Sequence, residues 1–282
     1  MKNQMGAVKG FSLVELMVAM TIGLILTLGI ATLFVDSMQT QTVVNEASRV
    51  QEAGRIILKR IQDDVRKAGY RGCNIAEAVG TSVTSLRALN DGIIIPGEAD
   101  FLPNAGVDAA STSFSVSYLR PFPDANSFGV TMDDTGRTVT LSAADQVLPA
   151  ITQGTQIVIS NCLTQEIINT PAISAGSTSF TLSNAVIGDY RGESNLYTLT
   201  SRTYYVADSG RGNRSLFMQT LSLNPSNAEE LVENVAAGGF TLVNQNTTVD
   251  SYLISLQVAG SADDDAVSRA FSSVATRRNT AQ

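Results

Sequence analysis

Glu15 is the one charged side chain in a run of 25 residues, Phe11 to Val35, that is otherwise apolar or small. A carboxylate there has one chemistry open to it, electrostatic pairing. At mid-membrane it costs roughly 2.5–3.5 kcal/mol, and less near an interface, where it reaches water or headgroups. Where every other neighbour is hydrocarbon, it attracts a cation strongly and so selects axial register within an apolar assembly. Other reactive groupings are sparse. Asp133-Asp134 and Asp263-Asp264-Asp265 offer oxygens suited to Ca²⁺ but lack the spacing of a calcium loop, and read as solvated turns. Glu229, Glu230 and Glu233 could include an acid/base pair, yet no nucleophile or positioned partner accompanies them. The glycines of Asp208–Asn213 lack phosphate-loop spacing.

Composition narrows the classes further. The 282 residues contain no histidine, which removes Ser-His-Asp and Cys-His catalysis and the commonest metal ligand. Two cysteines, Cys73 and Cys162, cannot form a four-cysteine zinc site or a CxxC redox pair. The net charge of −7 hides a split: residues 1–71 balance at +3 and residues 72–282 at −10. An acidic bulk repels phosphate, so nucleic-acid binding is not expected. No enzyme activity, metal or cofactor is expected.

The elements that position Glu15 follow from periodicity. As a helix, residues 11–35 would extend about 37 Å, enough to cross a roughly 30 Å hydrocarbon core. Lys2 and Lys9 precede the run, Asp36 follows it, and the next basic residue is Arg49. The positive-inside bias then leaves the N-terminus cytoplasmic and sends residues 36–282 across the membrane. A cleaved signal peptide has a shorter apolar region closed by a small-x-small site, whereas here the run is nearly twice as long and no A-x-A pattern closes it. A plain single-pass anchor accounts for everything except Glu15. Beyond the run, Val43, Ala47, Val50, Gly54, Ile57, Ile61, Val65 and Ala68 form an amphipathic stripe. Arg49, Arg55, Lys59, Arg60, Arg66 and Lys67 share the other positions with Glu52, Asp63 and Asp64, a cationic face that is solvated or meets the acidic part of a neighbour. One helix is predicted from about residue 12 to 68, with Gly69 as its C′ residue and its stripe on a sheet.

After Gly72 the texture turns to strands: Ser113–Arg120, Thr138–Leu141, Gln156–Ser160, Thr178–Leu182, Tyr197–Ala207, Ser215–Ser222 and Ser251–Val258. Asp208–Asn213 reads as a hairpin turn. Residues 97–112 and 121–136 read as loops, 228–235 as a short helix or a turn leading to a strand, and 276–282 as a frayed tail. The fold class is α+β: a long N-terminal helix packed on a β-rich domain of antiparallel sheets. In an oxidising compartment Cys73 and Cys162 would pair and contribute roughly 4–5 kcal/mol in the chain-entropy model; two isolated buried thiols are the alternative.

Gly10-Phe11-Ser12-Leu13-Val14-Glu15 resembles the class III signal of type IV pilins and type II secretion pseudopilins. The resemblance implies that residues 1–10 are a leader removed after Gly10 by prepilin peptidase. It implies that Phe11 becomes the N-methylated terminus and that Glu15 meets the N-terminal ammonium of a neighbouring subunit. It also implies residues 11–35 as a transmembrane and filament-core helix, 36–70 as its amphipathic continuation and 71–282 as a periplasmic pilin-like domain. Many major pilins carry a proline in the second half of this helix; none occurs between residues 11 and 95. Weaker similarities at 50–73, in SRTYYVAD with SLFMQ, in AEELVENV and at 271–279 resemble the PilW group of minor type IV pilins, with J-type pseudopilins as near relatives. The implied partners are other minor pilins, the major pilin, prepilin peptidase, the inner-membrane assembly machinery and the inner membrane itself. The implied role is priming of pilus assembly in or near a tip complex. A minor pseudopilin of a secretion system and a membrane-anchored periplasmic adhesin outside any filament are the alternatives.

Overall fold

The computed structural model describes residues 12–72, 93–94, 107–123, 129–143, 145–161, 163–221, 228–246, 250–259 and 268–277. The chain divides into two compact units, Met1–Arg49 and Val50–Gln282. A single helix, α1, runs Leu13–Lys67. In the first unit its large apolar side chains from Leu13 to Val35 are exposed, and the helix is long and apolar enough to cross a membrane by length and composition, with an 18-residue window of mean hydropathy 2.4. Its threonines satisfy themselves locally. Thr21, Thr27 and Thr32 hydroxyls donate to the carbonyls of Val18, Gly23 and Gly29 at 2.7–2.9 Å, leaving little polar surface along the helix.

In the second unit the stripe is buried: Gly54, Ile57, Leu58, Ile61, Val65 and Ala68 face the core. Gly54 is required by packing. A Cβ there would lie 2.6 Å from the Phe271 ring, so the missing side chain lets the ring close on the helix. The helix stops at Lys67, and Gly69 follows with φ +70°, the left-handed conformation that ends helices. The Gly69 amide then donates to the Ser117 carbonyl at 2.8 Å, tying the helix end to the sheet.

Ten strands form the larger sheet: β1 (Ile93–Ile94), β2 (Phe114–Pro121), β3 (Gly129–Met132), β4 (Thr138–Leu141), β5 (Gln156–Ser160), β6 (Gln165–Asn169), β7 (Ser179–Thr181), β8 (Ser194–Asp208), β9 (Arg214–Leu221) and β10 (Glu229–Val232). β11 (Val235–Asn246), β12 (Ser251–Val258) and β13 (Arg269–Thr276) form a second, three-stranded sheet. All pairings are antiparallel. The 15-residue β8 organises the unit. Its C-terminal part pairs with β2 and β9, and its N-terminal part with β3 and β5.

Two main cores result. One joins the helix stripe to both sheets through Phe114, Val116, Tyr204, Phe240, Ile254 and Leu256. The other lies within the segment inserted between β2 and β8, around Val130, Ile157, Ile159, Phe180 and Tyr190. The sequence reading fails in part there and in part beyond β9. Residues 121–136 contain β3 rather than a loop throughout; its four residues, Gly129–Met132, open on a glycine and run straight into Asp133, Asp134 and Gly136, turn residues that mask the strand. Residues 228–235 are a strand, a turn and the start of another strand, so the helical option is corrected. β6, β11 and β13 also escape the pattern. β11 contains Gly238-Gly239 and a register shift between Val235 and Phe240, and β13 (RAFSSVAT) is largely small and polar. The hairpin at 208–213 joins β8 to β9 as expected.

Candidate assembly helix and its anchor

Glu15 lies in the first turn of α1, exposed, where a carboxylate suits the helix N-terminus. The Leu16 amide donates to the Ser12 carbonyl at 3.2 Å as the helix begins. Among the described residues Glu15 has no cationic partner. It is the sole charge from Ser12 to Val35, on a segment whose large apolar side chains are more than half exposed. Gly10 and Phe11 lie outside the described residues, as do Cys73 and Cys162 and the Asp263–Asp265 run.

A second carboxylate escapes the sequence reading and is heavily engaged, with four side-chain hydrogen bonds. Asp64 is 1% exposed, on the buried side of α1. In the β2–β8 ladder Val116 lies opposite Arg202 and Phe114 opposite Tyr204, so the two-residue period puts Tyr118, Arg202 and Tyr204 on the face that meets the helix. Arg202 Nη1 donates to both Asp64 oxygens at 2.8 Å. The Tyr118 hydroxyl donates to Oδ1 at 3.1 Å and the Tyr204 hydroxyl to Oδ2 at 2.5 Å. Burial, then the adjacent Asp64 charge, pushes the Tyr118 hydroxyl up to about 12 and Tyr204 well above its ordinary range. Arg202 Nε is buried without a partner, so the cluster is not fully satisfied. A signal for Asp64 does exist: it falls three residues after Ile61 and seven after Ile57, on the apolar stripe.

The glutamates around β10 and Asp133 are held in ion pairs and in a turn. Arg60 grips Glu229 with two bonds at 3.0 and 3.2 Å, fastening the helix to β10. Arg211, in the β8–β9 turn, bridges Glu230 at 2.8 Å and Glu233 at 2.6 Å. The three glutamates therefore meet arginines rather than each other. Asp133 accepts from the Arg137 and Thr138 amides and the Thr135 hydroxyl, which together hold its carboxyl well below the usual range. No cluster of metal-ligating side chains occurs among the described residues.

Residues 5–31 match the family described as the prokaryotic N-terminal methylation motif. The match covers Gly10, Phe11 and Glu15 and the first part of the apolar helix, and is a prepilin signal of the type IV pilin-like kind, which pilins and pseudopilins share. The helix and this signal together suit a membrane-anchored, single-pass protein that works in a pilus or pseudopilus context with other pilins and membrane machinery. No curated protein and no solved structure matches the chain.

Proposed function

We propose that the chain is a minor type IV pilin, of the PilW kind, that primes pilus assembly and sits in or near the tip complex, in support of twitching motility or adhesion. Its role is mechanical and non-catalytic. The subunit waits in the inner membrane with its N-terminus cytoplasmic and its β-domain periplasmic, loses residues 1–10, gains a methyl group on Phe11, and docks with other minor pilins and the major pilin. The observation that carries this reading is Glu15, a lone carboxylate in the first turn of an exposed apolar helix within a matched methylation motif. The new α-ammonium of a neighbour supplies the cation it lacks, and pairing in a low-dielectric interior fixes the axial offset between subunits.

Glu15→Gln tests the pairing. Insertion and leader removal stay intact, while incorporation into filaments, measured by immunoblot of sheared surface fractions, falls at least tenfold. Wild-type incorporation of that variant would remove the assigned role of Glu15.

A further inference from the structure

The segment between β2 and β8 is a lobe with its own core, and its two ends meet, since Pro121 lies opposite Tyr197 in the β2–β8 ladder. It is acidic: residues 122–193 hold seven acidic side chains and two arginines. Asp134, Asp145, Asp189 and Glu193 are exposed, against Arg137 and Arg191. Two of its turns carry large apolar side chains into solvent. Leu163, in the β5–β6 turn, is 76% exposed, and Ile187 is 70% exposed. The turns are stitched together. The Asn161 side chain accepts from the amides of Leu163 and Thr164 and donates to the Asp189 carbonyl at 2.8 Å. The buried Glu166 carboxylate accepts from the amides of Ile187 and Gly188 at 2.8 and 3.2 Å. Side chains on a backbone held in this way lose little conformational entropy on docking.

Beside Ile187 an open cleft of about 290 Å³ lies between the Asp133–Gly136 turn and the Val186–Arg191 segment. Three carboxylates and one guanidinium border it. Asp133 uses both oxygens in its own turn. Asp189 accepts from Arg191 Nε at 2.9 Å, and bonds from the Arg191 side chain and amide hold its carboxyl down to about 2, so it stays ionised. The Asp134 side chain is 93% exposed, and Arg191 comes no nearer to it than 3.8 Å. Arg191 thus shows the kind of group that these carboxylates hold, and leaves Asp134 open to another. Tyr190 stands in the cleft wall, 1% exposed. Its hydroxyl makes no hydrogen bond among the described residues, although Thr164 and Glu166 lie near it. A buried polar group without a partner is rare enough to need an explanation.

We propose that the lobe is a docking module for a basic protein: the cleft takes a lysine or arginine side chain of the partner, at Asp134 and the Tyr190 hydroxyl, while Leu163 and Ile187 seat in apolar hollows beside it. The occupant follows from the charge. Nucleic acid, an anionic lipid surface and the lobe of a second copy all carry the same sign and are repelled. A cationic protein surface is drawn in and oriented. The two exposed apolar side chains supply the dehydrated centre that a specific protein contact needs and that charge alone does not. This role goes beyond the reading of the preceding subsection and does not depend on leader processing.

The test uses the full-length chain in the cells that make it, with the photo-crosslinker benzoylphenylalanine in place of Ile187. Irradiation yields an adduct with a different protein, and its junction peptide is net positive and carries lysine or arginine. Asp134→Lys lowers the yield about tenfold, whereas Asp134→Glu, which keeps the charge, leaves it within about twofold. In isolated membranes 0.5 M salt lowers it as well. Unchanged circular dichroism and melting of the purified variants in detergent show that folding is intact. Absence of an adduct, a junction in a second copy of this chain, a junction in a neutral or acidic segment, or a yield indifferent to Asp134→Lys overturns the docking site. None of these results bears on Glu15, whose variant is read in filaments.

Discussion

Replacing Asp64 by asparagine strips the charge from the centre of the helix–sheet contact while keeping its shape. In the folded protein Arg202 Nη1 then faces a neutral amide in place of the two carboxylate oxygens it holds at 2.8 Å, and the hydroxyls of Tyr118 and Tyr204 lose a charged acceptor. Arg202 is left largely buried, its side chain 22% exposed. Breaking a buried pair by removing one partner costs about 3–5 kcal/mol, because the other charge stays uncompensated. That is a large share of the roughly 5–15 kcal/mol stability of a domain. The assay is equilibrium urea unfolding of the full chain in detergent, followed by tyrosine circular dichroism, on wild type, Asp64→Asn, Arg202→Met and the double variant. The singles lose about 3 kcal/mol or more, and the double loses less than the sum of the two, since neither charge remains stranded. A loss below about 1 kcal/mol in Asp64→Asn, or strict additivity in the double, would refute the reasoning.

Alkaline pH probes the same cluster from the tyrosine side. The folded chain holds the Tyr118 proton to about pH 12, whereas the unfolded chain releases it near 10.0, so its contribution is full below pH 10 and is lost as pH rises towards 12. Two pH units amount to about 3 kcal/mol. Melting temperature from pH 9 to 12 falls more steeply for wild type than for Tyr118→Phe; parallel curves would count against the shift. Gly54→Ala gains up to about 1 kcal/mol of helix propensity but drives a methyl into the Phe271 ring, for a net loss of about 1–2 kcal/mol by thermal melting. Gly54→Ala with Phe271→Ala recovers the helix gain, and a single variant more stable than wild type would show that the close approach is not needed.

The sequence is most legible where one physical constraint dominates. The apolar run, the stripe from Val50 to Ala68 and the glycine that ends the helix all follow from a 3.6-residue period, and α1 spans Leu13–Lys67. Strands with clear alternation, β2, β4, β5, β8, β9 and β12, lie within a few residues of their expected places. β7 lies within the expected Thr178–Leu182, but β3 does not show, because it opens on Gly129 and runs into the turn residues Asp133–Gly136, and β11 does not, because it bends at a register shift. Glu15 stands out because it is the lone charge in a run of apolar residues. Asp64 does not, because a carboxylate beside Asp63 on a helix rich in Arg and Lys looks solvated. Its place on the apolar stripe hints at burial, but the partners Arg202, Tyr118 and Tyr204 come to it only through long-range pairing. The same long range hides the insertion. Nothing local in residues 122–193 announces that they close around their own core between two strands of one sheet.

The central claim is that residues 1–10 are a leader and that the working chain starts at a modified Phe11. Mass spectrometry of the N-terminal peptide from protein purified out of its native membrane tests this most directly. The account calls for a chain beginning at Phe11 and carrying one added methyl group. A chain that retains Met1 and the lysines of residues 1–10, or one cut at any other position, would contradict it.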